Sequence, residues 1–546
     1  RATVAIGVFV TLATVLALQF SSSQQQQASI SANVAGGDHR SLRNLASMQT
    51  LPSLRLHFTM KRSSMNVHGL SEFDVLANPV VSDTGAVSYN SVATFQVGEV
   101  LHKYTVAGGV TYYSVESAMT GSAAASATCM AADSLPQVAD LIAALNGAKR
   151  VNSVQSKGSV VDCPSNKLYK LTYGGEAYAL CSTLRANEPG FAIYGADLNI
   201  EARYMTSAIT ISTPALRAED AQACGSLSSS ASASTRTMGL LSGKMINFVN
   251  VAAETPDATV VLADPTCTCK GAKRPCIFFH GLGRDSEGPV SSSSTYFGDL
   301  KNNAPCCSSI QYANLNTVKA GWNESSLQQK VCDIALSVSP TSNVATKVVE
   351  NTIIAAHSMG NLMLAGAIAT GKCSLAKTTE WVAISGPMRG SMGSDYLMKS
   401  CGSGGLGGII AGIVGKCPPD TATKAIAYEG EAFCPAALKA QYDAAQVAFK
   451  QYVTAAMCSN SNSGLSSGDQ LTYRLGGSII PHKSSENDGI VEFQSCAADI
   501  PLSQFANTYT SKFYVTKLNH ADTSFRHGDS ASNNAQKPVK WFECLF

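Results

Sequence analysis

Two stretches in the first half of the chain alternate apolar and polar residues and contain a pair of glycines. They cover residues 104–112, around Gly108-Gly109, and residues 168–175, which end on Gly174-Gly175. Alternation with a period of two is typical of strands with one buried face, and paired glycines accept the positive φ values of tight hairpin turns. The pattern therefore predicts two β-hairpins.

A helical spacing lies between these hairpins. Ser134 is a suitable N-cap, Pro136 fits the first turn, and Gly147 is the expected stop. The apolar residues that would share one face of this helix are Leu135, Val138, Leu141, Ile142 and Leu145. Antiparallel strands with one helix predict a smaller, β-rich α+β domain over residues 46–224. Its histidines are scattered along the sequence, so we assign it no catalytic role.

The second half of the chain combines short apolar runs with helical patterns. This combination favours an α/β domain with a mostly parallel central sheet, which we predict over residues 239–546. The predicted strands are residues 275–279, 352–356, 381–385, 472–478 and 511–517. After the second of them, residues 362–369 have a helical pattern.

Segments without such periodicity flank the two domains. Residues 225–238 are rich in serine and alanine, which predicts a flexible linker. Residues 1–20 are largely apolar and are predicted to be a signal peptide or, alternatively, a signal anchor, before a disordered leader over residues 21–45. The chain is thus expected to be secreted or extracellular, or else membrane-anchored and facing the lumen or exterior.

Composition excludes several classes of protein. The 546 residues exceed the size of one ordinary core, which agrees with two domains. Lysine and arginine (40) nearly balance aspartate and glutamate (38), and only 14% of residues are charged, so the chain lacks the basic field that nucleic-acid binding requires. Because 45% of residues are hydrophobic, the chain can bury large cores and is not a disordered protein.

The seventeen cysteines are predicted to form disulfides because the chain is expected to leave the cytosol. Four precede the linker and can close two bridges among themselves, whereas the thirteen that follow leave at least one without a partner in the chain. Cys306 and Cys307 are adjacent and are expected to have separate partners. The cysteine spacings do not match common zinc sites, so no metal is predicted.

One apolar run leads into Ala356-His357-Ser358-Met359-Gly360, and a helical pattern follows. Strand, small-x-Ser-x-Gly and helix is the pattern of a nucleophile elbow, a tight turn that exposes the serine hydroxyl at a helix N-terminus. Upstream, another apolar run ends on His280-Gly281-Leu282-Gly283. The two motifs together resemble the α/β-hydrolase superfamily, in particular lipase-like serine hydrolases.

That resemblance implies a role for several residues. Ser358 would be the nucleophile, and the backbone amides of Leu282 and Met359 would form the oxyanion hole. The residues that would support these loops are His280, Gly281, His357 and Gly360. Residues 386–391 also resemble a Pro-x-x-Gly-Ser stretch of lipases, whereas Asn361 departs from the glycine that lipases commonly have there.

In this superfamily the acid and then the histidine follow the serine along the chain. Asn487-Asp488-Gly489 resembles the acid loop of lipases, which indicates Asp488, with Glu486 and Asp395 as alternatives. His520 follows a predicted strand and is the expected base, with His527 as its rival. A Ser358–Asp488–His520 triad is therefore the prediction.

The expected activity is hydrolysis of carboxylic esters, as in lipases and esterases, with a lipid or ester substrate, at a membrane surface in the case of a lipid, and no cofactor. Palmitoyl-protein thioesterase and glycosylphosphatidylinositol inositol-deacylase activities are alternatives. A secreted binding or effector protein on a hydrolase scaffold is an alternative of another class, and residues 40–43 resemble the Arg-x-Leu-Arg signature of secreted effectors. Residues 401–417 are read as a glycine-rich lid or as a buried connection closed by a disulfide. The oligomeric state stays open.

Overall fold

The computed structural model describes residues 51–546, apart from residues 118–126, 131–137, 157–158, 185–187, 217–223, 225–229, 245–258, 402–416 and 468. Contacts divide the chain after Thr50, and everything described below belongs to the unit Leu51–Phe546. The predicted signal segment, leader and Arg-x-Leu-Arg motif lie outside the described residues. So do Ser134 and Pro136 at the predicted helix start and nearly all of the predicted lid.

The N-terminal region consists mainly of a large antiparallel sheet. Its strands and those of a small neighbouring sheet are Leu54–Met60 (β1), Glu72–Val81 (β2), Ala86–Val97 (β3), Val100–Ala107 (β4), Val110–Ser117 (β5), Thr128–Cys129 (β6), Lys149–Val151 (β7), Val154–Ser156 (β8), Ser159–Val160 (β9), Leu168–Tyr173 (β10), Glu176–Cys181 (β11), Gly190–Gly195 (β12), Leu198–Tyr204 (β13), Ala231–Ser232 (β14) and Val260–Val261 (β15). The large sheet has the order β6-β5-β4-β3-β2-β1-β13-β12-β11-β10-β7, and β14 pairs with β3. The small sheet has the order β15-β8-β9.

Both predicted hairpins are present in this sheet. Gly108 and Gly109 have φ values of 59° and 77° between β4 and β5, and Gly174 and Gly175 have 58° and 86° between β10 and β11. Helix α1 (Val138–Asn146) ends just before Gly147, as the sequence predicts.

The structure places regular elements in the described part of the stretch that the sequence predicts to be a flexible linker. Strand β14 lies there, and helix α2 (Thr235–Leu241) begins there, with Ser234 as its N-cap. Asn146 accepts a hydrogen bond from the backbone N–H of Ser234 (2.8 Å), so this segment is held against the end of α1. The domain boundary itself stays a prediction.

The C-terminal region contains a mixed sheet of eight strands among the described residues. The remaining strands are Arg274–Phe279 (β16), Gly288–Ser291 (β17), Cys307–Asn314 (β18), Val348–Val349 (β19), Ile353–His357 (β20), Ser374–Leu375 (β21), Glu380–Ile384 (β22), Val453–Ser459 (β23), Phe505–Ala506 (β24) and Phe513–Thr516 (β25). The order is β17-β18-β16-β20-β22-β23-β25-β24, and every pair is parallel except β17 with β18. Strands β19 and β21 pair separately.

Helices and loops cover both faces of this sheet. The helices are Ser325–Val338 (α3), Met359–Ala369 (α4), Met392–Ser400 (α5), Thr421–Ala425 (α6), Ala436–Tyr452 (α7), Gln470–Ile479 (α8), Phe493–Ala497 (α9) and Pro538–Cys544 (α10). Alternate residues of β16 enter different cores: Ile277 and Phe279 pack with α3, α4 and α7, whereas Phe278 packs with Trp541 of α10 and its neighbours. A sheet buried on both faces explains why its strands read as continuous apolar runs.

One predicted element is wrong. The sequence predicts a strand and its exit loop over residues 472–478, but these residues lie in helix α8. The strand that comes before the Asp488 loop in the sheet is β23, which no pattern in the sequence predicts. Strand propensity depends on tertiary context, and this segment packs on the Asp488 loop, since a Cβ at Gly489 would lie 2.6 Å from the Tyr473 carbonyl oxygen.

Eight disulfides link the described cysteines. Within the N-terminal region the bridges are Cys129–Cys224 and Cys163–Cys181, so its four cysteines pair among themselves as expected. Cys306 and Cys307 have separate partners, as expected for adjacent cysteines. The other bridges are Cys267–Cys544, Cys269–Cys306, Cys276–Cys307, Cys332–Cys373, Cys401–Cys417 and Cys458–Cys496. Cys434 is the cysteine left free.

Buried ion pairs join the N-terminal sheet to the C-terminal end of the chain. Asp197, next to β13, forms ion pairs with Lys537 Nζ at 2.7 Å and with Lys540 Nζ at 2.6 Å. Arg62 pairs with Asp529 at 3.2 Å and with Glu543 at 2.7 Å. Buried charges require such partners because an unpaired charge away from water is costly. Among the helices described, none is long and apolar enough to cross a membrane.

Candidate active site

Ser358 lies at the sharp turn between β20 and α4. Its φ of 55° and ψ of −134° lie outside the usual regions for an L-residue, and the backbone N–H of Ser358 donates to the Ile384 carbonyl at 2.9 Å. Gly360 makes this turn feasible, since a Cβ there would lie 2.7 Å from the Phe279 carbonyl oxygen. The turn therefore packs directly on the end of β16.

Asn361, which departs from the lipase pattern, has a clear structural role in this turn. Its side-chain amide donates to the carbonyls of Ala356 (2.8 Å) and Ile384 (3.1 Å), and its oxygen accepts from the Trp381 indole (3.2 Å). The buried side chain thereby ties the start of α4 to β20 and β22. Gly386 leaves room for it, since a Cβ at that position would lie 2.9 Å from Asn361.

His520 connects Ser358 with Asp488. The His520 Nε2 lies 2.9 Å from Ser358 Oγ, and its Nδ1 lies 2.7 Å from Asp488 Oδ2. The other oxygen of Asp488 accepts the backbone N–H groups of Ile490 (3.0 Å) and Val491 (2.7 Å). All three side chains are buried or nearly so, and the acid is fixed on both oxygens. The structure thus brings the three predicted triad residues into one hydrogen-bonded chain.

The alternative residues lie outside this chain of contacts. The His527 Nδ1 is bound to Asp522 at 2.6 Å. Glu486 is exposed, two residues from Asp488. Asp395 accepts the Tyr428 N–H at 2.7 Å, and burial raises its pKa to about 6.

The loop after β16 borders the serine closely. A Cβ at Gly281 would lie 2.5 Å from Ser358 Cβ, so only glycine leaves this approach open. Leu282 follows directly, and Met359 is the first residue of α4, where backbone N–H groups lack an acceptor within the helix. The two amides predicted to form an oxyanion hole therefore belong to residues next to Ser358 or next to its close neighbour Gly281.

His280 uses both ring nitrogens within its own surroundings. Nδ1 lies 2.9 Å from the Gly281 carbonyl oxygen, and Nε2 accepts the Leu315 N–H at 3.2 Å. Burial lowers its pKa to about 4, so the ring is neutral and donates through Nδ1. These contacts hold the loop in shape.

A second chain of hydrogen bonds links the two sides of the site. Its central residue is Tyr296, which no motif in the sequence indicates. The Tyr296 hydroxyl accepts the Gly281 N–H (3.1 Å) and lies 2.6 Å from His357 Nδ1. The His357 Nε2 lies 3.1 Å from both the His520 carbonyl oxygen and Thr523 Oγ1. Burial, followed by the nearby His520, lowers the pKa of His357 well below its usual value. Neutral His357 therefore accepts from Tyr296 and donates to the His520 loop.

Within the described residues, no cluster of His, Cys, Asp and Glu could hold a metal ion.

No protein-family model matches the sequence, and no curated protein is significantly similar to it. Among solved structures, the chain is similar to the mature form of lipase BlEst2 from Bacillus licheniformis, at 17% sequence identity, covering 48% of this chain and 91% of the lipase, with a TM-score of 0.31. It is also similar to LprF from Mycobacterium bovis, at 10% identity, covering 33% of this chain and 100% of LprF, with a TM-score of 0.18. With TM-scores this low, neither similarity defines the fold or the function of this chain.

Proposed function

We propose that the protein is a secreted serine hydrolase of the α/β-hydrolase fold that cleaves carboxylic esters through an acyl-enzyme. The observation that carries this proposal is the hydrogen-bonded chain from Ser358 through His520 to Asp488, with distances of 2.9 Å and 2.7 Å. Acyl transfer requires a nucleophile, a base and an orienting carboxylate within hydrogen-bond reach. The strained turn at the start of α4 and the parallel strands around it support the fold assignment.

The chemistry follows from these positions. His520 Nε2 takes the proton of Ser358 Oγ as the oxygen attacks the ester carbonyl, and Asp488 holds the proton on Nδ1 and stabilises the imidazolium. The amides of Leu282 and Met359 stabilise the oxyanion. His520 then protonates the leaving alcohol, and afterwards it activates the water that releases the acid. This sequence needs no cofactor.

Two features support secretion and a lipid or ester substrate. Eight disulfides are typical of proteins that fold in an oxidising compartment. The side chain of Leu282 is only partly buried, against the core beside α4, so the loop next to the serine offers an apolar surface to an acyl chain.

Labelling with a fluorophosphonate probe tests the proposal. Wild type and His527→Ala should be labelled, whereas Ser358→Ala and His520→Ala should not, because only the latter two remove a member of the triad. A folded wild type without label would refute the proposal, and labelled Ser358→Ala would move the nucleophile elsewhere. Ester and thioester substrates with the same acyl chain, assayed in parallel, then assign the bond: we expect the ester to be the better substrate.

A further inference from the structure

The N-terminal sheet borders a cavity of 1430 Å³ that the proposed chemistry does not use. One face of the central strands lines it with alternate residues. They include Leu56 and Phe58 of β1, Phe73 and Val75 of β2, and Ala93 and Phe95 of β3. The apolar face of helix α1 adds to this wall. These residues give the cavity a largely apolar wall, and Ser91 is a polar residue on the same face of β3.

Register and ring contacts show that this surface is one built layer. Across neighbouring strands Leu56 faces Val75, and Val75 faces Ala93. The rings of Phe58 and Phe73 stack at 5.1 Å, and Phe95 packs on Phe73 at 5.0 Å. Many of these side chains are only half-buried, although they are large and apolar. On soluble proteins, an extended apolar surface of this kind commonly marks a site that binds a ligand or a partner.

The size of the cavity indicates the class of ligand. Pockets for small molecules measure about 300–1,000 Å³, so a small metabolite would leave much of this apolar wall uncovered. A long hydrocarbon chain would cover it and would gain free energy along its whole length.

Polar groups occur at defined places in the same cavity. The loop around residues 465–467 and the loop 525–532 supply hydroxyl, guanidinium, imidazole and carboxylate groups to its wall. Among the described residues, three side-chain oxygens in the lining are buried without a hydrogen-bond partner: Asn66 Oδ1, Tyr89 Oη and Ser467 Oγ. Of these, Ser467 Oγ belongs to the loop 465–467, where its hydroxyl can donate to an ester or carboxylate oxygen of a lipid.

We propose that this cavity binds a lipid, with its acyl chain along β1–β3 and its polar part toward residues 465–467 and 525–532. None of the triad residues is among the described residues that line it. The two sites share a wall, because the Arg526 guanidinium lies 5.0 Å from the ring centre of Tyr296, which contacts His357 and Gly281. Lipid binding is independent of the proposed hydrolysis, and it can be measured in the Ser358→Ala protein.

A tryptophan reporter tests the proposal. The native tryptophans are all buried in the C-terminal region. Phe73→Trp adds one inside the cavity, and Thr94→Trp adds one on the opposite, exposed face of β3. In the full chain carrying Ser358→Ala, brominated stearate should quench Phe73→Trp saturably and should leave Thr94→Trp at the background of the parent protein. Absence of saturable quenching in Phe73→Trp, or equal quenching in both variants, would overturn the proposal.

Two further experiments identify the lipid that supplies the acyl chain and test whether the chain occupies the cavity. Quenching by free brominated stearate alone indicates a fatty acid, and quenching by vesicles of brominated phosphatidylcholine indicates a membrane lipid. Ala93→Trp places an indole on the cavity wall, in the path assigned to the acyl chain, and should weaken binding of cis-parinaric acid at least about tenfold, whereas the matched Thr94→Trp should not. Unchanged binding by folded Ala93→Trp would contradict the assigned place. If Ala93→Trp does not fold, the Phe73→Trp and Thr94→Trp pair decides alone.

Discussion

At the scale of single residues, the carboxylate of Asp488 is held in a way that predicts its contribution. One oxygen binds His520 and the other binds two backbone N–H groups, so the charge faces the ring in a fixed position. Asp488→Asn keeps this shape but favours the wrong tautomer of His520. We expect kcat on a short-chain ester to fall by about 10⁴, with little change in KM.

The matched control for this variant is Glu486→Gln in the same loop, since Glu486 is exposed. Its kcat should stay within about twofold of wild type. A large loss in Glu486→Gln together with an active Asp488→Asn would reverse the assignment of the acid.

Tyr296 carries a second prediction at this scale. Its hydroxyl joins the Gly281 amide to His357, which in turn contacts the loop of His520, so it acts as a positioning residue. Tyr296→Phe removes this link and should reduce kcat/KM by about tenfold, the equivalent of one hydrogen bond in a buried network. Burial raises the pKa of Tyr296 to about 12, so the hydroxyl stays protonated across the assay range and the loss should not depend on pH. If the folded Tyr296→Phe protein keeps the wild-type kcat/KM, the hydrogen bonds of Tyr296 have a purely structural role.

At the scale of elements, the close packing of α4 on β16 fixes the serine turn. Gly360→Ala puts a Cβ 2.7 Å from the Phe279 carbonyl oxygen. The contact can be relieved only if the backbone of α4 or of β16 moves. We expect a loss of about 1–3 kcal/mol in the free energy of unfolding, measured in urea, together with loss of probe labelling. Ala369→Ser at the exposed end of the same helix should change neither. Full labelling of Gly360→Ala would show that the serine turn stays functional when α4 and β16 lie further apart.

Local patterns predict some of these elements and miss others for physical reasons. The glycine pairs specify their hairpins because the positive φ values are a local requirement. The stretch 472–478 has the local pattern of a strand but forms helix α8, because strand propensity depends on tertiary context, which here includes the close packing of Tyr473 on Gly489. Ser358, Asp488 and His520 each lie in a short local motif, and the motifs follow one another in the expected order, so the sequence alone predicts these three residues. Tyr296 has no such motif, because its partners Gly281 and His357 are specified only by the folded chain.

At the scale of the whole molecule, the cysteines show the same limit: their number can be read from the sequence, but most of their pairings cannot. The number before residue 225 is even, which is enough to predict two internal bridges, and the N-terminal region contains both. Connectivity over long distances was beyond any spacing rule: Cys267 pairs with Cys544, 277 positions later. That bridge closes the C-terminal region beside the α10 lysine that reaches Asp197.

The ion pairs of Asp197 predict that the N-terminal sheet and the C-terminal end unfold together. Burial alone would raise the pKa of this carboxyl, but Lys537 and Lys540 lower it below its usual value. Asp197→Asn leaves the two buried ammonium groups short of a partner and should cost about 3–5 kcal/mol of unfolding free energy near neutral pH.

The pH dependence of that cost is a further check. Because the folded pKa of Asp197 is lowered, its stabilising contribution is present above the ordinary carboxyl pKa of about 3.9 and is lost as pH falls through the folded value. The difference between wild type and Asp197→Asn in urea unfolding should therefore shrink in acid. Glu188→Gln serves as the control, since Glu188 forms a largely exposed pair with Arg203 at 3.3 Å and should cost less than about 1 kcal/mol. Two separate unfolding transitions, with only one affected by Asp197→Asn, would instead mean that the two regions are stable independently and that the buried pairs do not couple them.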